Sequence, residues 1–180
     1  LQQYLTKDYG SFIHGITVSS ALIGCIIGGL LSSSFSSRLG RKKSLQVAAI
    51  LFIVSAILSG YPEFLFFNST EPNLGLLIAF NLYRIIGGIG VGLASAISPM
   101  YISEIAPSSI RGKLVSWNQF AIIFGMLVVY FVNYGITYGQ PQSWIQDIGW
   151  RYMFITEAIP AIAFFFLLFL VPETPRYLSL

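Results

Sequence analysis

The sequence predicts an all-helical integral membrane protein, and three observations carry that expectation. Of the 180 residues, 55% are hydrophobic and only 9% are charged, whereas a water-soluble domain of this size carries far more charge. The apolar residues gather in runs of about 20, the length that crosses roughly 30 Å of hydrocarbon at about 1.5 Å per residue. The Lys and Arg residues sit in short connections between those runs, where they set orientation. The net charge of +3 therefore speaks for topology and gives no reason to expect a nucleic-acid partner.

The first span is expected over 11–36. Gly15, Ser19, Ala21, Gly24, Gly28 and Gly29 make it a small-residue helix, and Gly24 and Gly28 have the spacing that lets two helix backbones approach closely in lipid. A packing face is the simpler reading and a substrate-facing one the alternative. His14 near the outer end reads as interfacial or packed, and the lone Cys25 as a small packing residue. Arg38, Arg41, Lys42 and Lys43 form a short basic loop, which the positive-inside rule keeps cytoplasmic. The second span, 44–61, then runs outward. Residues 62–73 are external, with Glu63 and Glu71 but no basic residue, and residues 68–70 fit a glycosylation tripeptide that is common by chance.

The third span, 75–102, runs inward to a second basic loop with Arg111 and Lys113. The fourth, 114–136, runs outward to an external stretch at 137–149, with Trp144 as an interface anchor. The fifth, 150–171, runs inward and stops at Pro172 and Pro175, as helices do before proline. The C-terminal end is then cytoplasmic with both basic loops. An external start at Leu1 predicts a further span before it, making six, and residues 173–176 read as the edge of a half.

Residues 83–120 organise the chain. They hold an arginine in an apolar helix, a glycine run, Pro99, a charged turn and an Asn-Gln pair. Asn118 and Gln119 lie in an otherwise apolar span. Neutral amides suit a sugar, because each offers donors and an acceptor to its hydroxyls. A helix-to-helix hydrogen bond is the competing reading for Gln119, and packing against a neighbour is the reading for Asn118. Ile122, at i+3, shares the Gln119 face as cavity wall, lipid contact or core. Arg84 and Glu157 each fall roughly 10–13 Å below the outer surface. Buried charges cost about 2.5 kcal/mol or more unless they find partners, so both are expected to point into the bundle and to pair directly or through water. Arg38, Arg41, Glu104, Arg111, Glu173 and Arg176 fall on one side of the membrane. They are expected to interlock, with Glu104 against Arg38 or Arg111, or else to be solvated topology signals. Gly88, Gly90 and Gly92 sit within a span and follow no strand, which excludes a dinucleotide fingerprint. No metal-ligand cluster, nucleophilic triad or carboxylate pair suggests an enzyme or a cofactor.

Four motifs in order carry a resemblance. Ser37-Arg38-Leu39-Gly40-Arg41-Lys42 is followed by Arg84 with Gly87, Gly88, Gly90 and Gly92, then Pro99-Met100-Tyr101-Ile102-Ser103-Glu104 with Arg111-Gly112, then Pro172 through Arg176. Together they resemble the sugar porter family of the major facilitator superfamily over nearly the whole chain. The resemblance implies the N-terminal half, helices two to six, of a twelve-helix fold. Its implied partners are the first helix and the C-terminal half of the same protein, together with membrane lipid.

It further implies transport of xylose or a similar monosaccharide across a bacterial inner membrane by proton symport and alternating access. The proton is then the coupling ion, with no cofactor. Facilitated uniport and a non-transporting sugar sensor stand as alternatives. Gln119 becomes a sugar contact, Arg84 a partner of a helix-one acid, and Glu157 a group that tunes that pair; a static ion pair is the alternative. Two departures stand out. Ser33 and Ser37 replace the family's Gly and Asp or Asn, and Met126 stands where such transporters carry a second glutamine near the sugar.

Overall fold

The structure, a computed structural model, describes residues 10–61 and 74–178. Glu63, Glu71, the tripeptide at 68–70 and the side chains of His14 and Arg176 lie outside what is described. Five helices are long and apolar enough to cross a membrane: α1 Gly10–Leu39, α2 Arg41–Gly60, α3 Leu74–Ile105, α4 Arg111–Thr137 and α5 Gln142–Leu170. A short α6, Pro175–Leu178, follows.

The helices outrun the apolar segments that announce them. The expected basic loop at 38–43 contracts to Gly40 alone, with Arg38 in the last turn of α1 and Arg41 opening α2. The expected turn at 104–113 contracts to 106–110, and helix resumes at Gln142 inside the expected 137–149 loop. Backbone hydrogen bonding does not stop at the hydrocarbon edge, so a helix continues into the interface until a glycine or proline breaks it.

α3 is central, with α1 along one side and α2 along another, while α5 packs on α2. Leu45, Ala48 and Ala49 of α2 meet Leu93 and Ile97 of α3 and Leu168 of α5 in the buried core. The α1–α3 contact is a glycine seam. A Cβ added at Gly24 would lie 2.9 Å from the Gly88 Cα, and one at Gly88 would lie 3.0 Å from the Gly24 Cα. Gly28 and Gly92 repeat the arrangement one turn along: a Cβ at Gly28 would press on the Ile89 backbone, and one at Gly92 would lie 2.7 Å from the Gly29 nitrogen. Without lipid-driven hydrophobic attraction, such backbone-on-backbone approach supplies the van der Waals contact that holds the helices together.

α5 is not continuous. A π-helical turn spans Ile145–Gly149, and the α-helical segments Trp150–Thr156 and Ala158–Leu170 flank Glu157. Pro160 explains the second break, since it has no N–H for the Thr156 carbonyl and its ring crowds that carbonyl. Thr156 meanwhile turns its own hydroxyl back to the Tyr152 carbonyl. The break leaves Glu157 between two helical segments.

Candidate transport site

Arg84 and Glu157 line one cleft of about 160 Å³ within the bundle. Arg84 comes from α3 and Glu157 from the break in α5; Ser55 and Ser59, one turn apart, come from α2. Gly87 and Gly88, next to Arg84 on α3, border the same space. The Arg84 guanidinium stands over the Phe154 ring, 5.4 Å from its centroid. There the ring's negative face offsets part of the cost of a cation in an apolar bundle. Phe154 is itself held edge-on by Phe80, at 5.5 Å between centroids. The Ser55 hydroxyl donates to the Tyr83 carbonyl at 2.8 Å. Arg84 and Glu157 thus share a cleft without forming a direct ion pair among the described residues. Two opposite charges that share a polar space without closing on each other can exchange partners when one of them gains or loses a proton.

The charged end of the bundle is built differently. Arg41 Nη2 bonds Glu104 Oε1 at 2.8 Å, with both side chains about nine-tenths covered. Its Nη1 also donates to the Ser36 carbonyl at 3.3 Å. Arg41 therefore reaches Glu104, a pairing the sequence had not singled out. Opening α2 right after Gly40 aims Arg41 at the last turn of α3, while Arg38 and Arg111 stay exposed.

Among the described residues, Glu173 bonds to backbone N–H groups. Its carboxylate accepts the N–H groups of Arg41 at 3.0 Å, Lys42 at 3.1 Å and Thr174 at 3.1 Å. An anion at a helix N-terminus satisfies orphan donors and meets the positive end of the dipole. Gly40 makes this possible. It has no side chain to cap α2 itself, its φ is +85°, and a Cβ there would stand 2.7 Å from Glu173 Oε2. Lys42 Nζ reaches the Phe169 carbonyl at 3.2 Å, Tyr101 donates to the Pro172 carbonyl at 2.6 Å and Tyr177 to that of Arg38 at 3.2 Å. These bonds tie the ends of α1, α2, α3 and α5 together.

α4 stands apart. None of its residues is buried, and it touches α3 and the start of α5 only lightly. Asn118 accepts a hydrogen bond from Ser98 of α3 at 3.1 Å, the packing role expected for it. Gln119, about 100° round the helix, is exposed together with Ile122 and Met126. The structure brings these three onto one face but not into the Arg84–Glu157 cleft.

Sequence reasoning passed over Ser55, Ser59 and Phe154. Two serines four apart in an apolar helix were the available signal for the first two. Nothing local marked Phe154, or the capping of α2 by a residue 132 positions away. Among the described residues, no group of three or more His, Cys, Asp or Glu is placed to hold a metal ion.

Residues 2–180 match the family described as "Sugar (and other) transporter". The chain is 54% identical over 183 residues to the D-xylose-proton symporter of Escherichia coli (strain K12), covering 98% of this chain and 37% of that protein. It is 40% identical over 168 residues to the arabinose-proton symporter of Bacillus subtilis (strain 168), covering 93% of this chain and 34% of that one. A solved structure of the E. coli xylose transporter, partially occluded and inward-open, superposes with a TM-score of 0.90 at 53% identity, covering 97% of this chain and 42% of that one. Another, of the same transporter bound to 6-bromo-6-deoxy-D-glucose, gives 0.89 at 54% identity, covering 94% and 37%. The chain belongs to the sugar transporter family and has the major facilitator fold, and it spans well under half the length of these relatives.

Proposed function

We propose that this chain is part of a secondary active sugar transporter, and that the complete protein carries xylose or a similar monosaccharide by proton symport. The observation that carries the reading is the shared cleft of Arg84 and Glu157. Titratable charge inside a membrane bundle is expensive and marks ion or proton pathways. Here a carboxylate at a helix break faces the same space as a guanidinium that no direct ion pair ties to it. A proton on an acid in this region would release Arg84 and let it change partners, which couples protonation to rearrangement.

Sugar would bind at the exposed face of α4, with Gln119 donating to and accepting from hydroxyls and Ile122 and Met126 walling the site. The opposite wall would come from a C-terminal half, in a transporter that rocks between two openings. The first helix would bring the acid that Arg84 also serves. The charged end, with Arg41, Glu104 and Glu173, would be cytoplasmic by the positive-inside rule, with Arg38, Arg111 and Arg176 beside it, in a bacterial inner membrane. There its bonds would hold one of two nearly balanced states.

The test uses the complete transporter in liposomes. Labelled xylose should exchange by counterflow without a gradient and accumulate against its own gradient when protons flow inward. Arg84→Leu should abolish accumulation while exchange remains measurable. Accumulation at the wild-type level in that variant overturns the coupling role. Exchange without accumulation in the wild type means uniport, and neither activity means a sugar sensor.

A further inference from the structure

We propose that Ser59 anchors a water molecule that links Arg84 to Glu157, making Ser59 a positioning residue for proton coupling; the inference rests on the proton-symport reading above. Ser59 is 2% exposed, its hydroxyl oxygen is buried, and that oxygen has no hydrogen-bond partner among the described residues. A buried hydroxyl left without a partner costs about 1–3 kcal/mol, so such groups normally bind ordered water.

Ser59 lines the Arg84–Glu157 cleft, and the roughly 160 Å³ there exceeds what one water needs. A water also needs two to four polar partners. The guanidinium donates, the carboxylate accepts, and the Ser59 hydroxyl does either. Ser55, one turn away on the same face of α2, has already committed its proton to the Tyr83 carbonyl, which leaves Ser59 as the hydroxyl free to orient the water.

The arrangement also explains how two opposite charges occupy one cleft without collapsing into an ion pair. The water accepts from Arg84 and donates to Glu157 and to the Ser59 oxygen. When Glu157 takes up a proton from the aqueous side, its O–H donates to the water, which turns toward Ser59 and leaves Arg84 free for another acid.

Among the described residues that line the cleft, Arg84 and Glu157 are the charged ones. α3 contributes Arg84, with the buried Tyr83 hydroxyl beside it in sequence. α2 contributes the uncharged Ser55 and Ser59, and α1 contributes Ala21. On α5 itself, the Arg151 guanidinium lies over the Trp150 ring, 4.9 Å from its centroid.

The experiment measures proton-driven xylose accumulation by the complete transporter in liposomes across external pH, with counterflow as the measure of sugar exchange. Removing the anchored water takes away a hydrogen bond that would favour the carboxylate form of Glu157 over its protonated form. In Ser59→Ala the pH midpoint of accumulation should therefore move upward by about half to one unit, while counterflow remains measurable. Ser59→Thr, which keeps the hydroxyl, should return the midpoint toward wild type.

A Ser59→Ala profile that superimposes on the wild type overturns the inference and leaves the symport reading intact. A wild type that exchanges sugar but never accumulates it overturns both. A high-resolution structure of the complete wild-type protein gives a reading independent of any variant. Solvent within roughly 3.2 Å of the Ser59 hydroxyl, shared with Arg84 or Glu157, supports the inference; a protein partner or a dry site there overturns it.

Discussion

The α1–α3 seam and α4 are both apolar, both long enough to span a membrane, and they behave as opposites. At the seam, Gly24 and Gly88 bring two backbones close enough that neither position has room for a Cβ. α4 has glycines too, at 125 and 135, and a Cβ at either would meet nothing within 4 Å. The difference teaches that apolarity brings a helix into lipid but does not decide what it packs against. Packing between lipid-embedded helices is decided by where small residues line up on two facing surfaces. Among the described residues, Ser98 of α3 donates to Asn118 of α4, and most of the surface of α4 is exposed. Under the proposed function, the sugar and a second half of the protein occupy that surface.

The largest effect should come from filling the seam. Gly88→Leu places a branched side chain against the Ala21 carbonyl and the Gly24 Cα, and backbone cannot yield as a flexible side chain does. A loss of about 3 kcal/mol should appear as a reduced folded yield and a lower melting temperature of the complete protein in detergent. An unchanged melting temperature would break the comparison at its stronger side.

Gly40→Ala should rank next. Its φ of +85° with ψ of 169° is a region that essentially only glycine occupies, and the new methyl would crowd Glu173 and Tyr177. A destabilisation of about 1–3 kcal/mol is expected, again read from thermal unfolding.

α4 should respond through binding instead of stability. Gln119→Ala should weaken xylose binding to the complete transporter by roughly 0.5–1.5 kcal/mol, with the melting temperature held. Calorimetry that returns the wild-type affinity would remove Gln119 from the sugar site.

The smallest effect is expected from Gly125→Leu. With open space around it, its stability should stay within about 1 kcal/mol of the original, the scale of helix propensity alone. A fall as deep as that of Gly88→Leu would mean that the complete protein covers α4 as tightly as α1 covers α3.

The class of protein and its helices were legible in the sequence because span length and apolar content are properties of consecutive residues. The glycine spacing on α1 likewise announced a close packing face, though not that it meets the glycines of α3. The charges at Arg84 and Glu157 were legible as expensive and in need of company, because depth in a span follows from counting residues. Three things rested on tertiary structure. Gly40 separated one helix from the next, which turned Arg41 toward Glu104. Glu173 crossed 132 positions to cap α2, a contact with no local trace, since any helix N-terminus accepts any carboxylate that arrives. Glu157 and the two serines of α2 came together around Arg84 only once three helices were packed. One sequence determines which residues must find partners. Which partners they find depends on the angle and register at which separate helices meet, and those are set by the sum of many side-chain contacts between segments far apart in the chain.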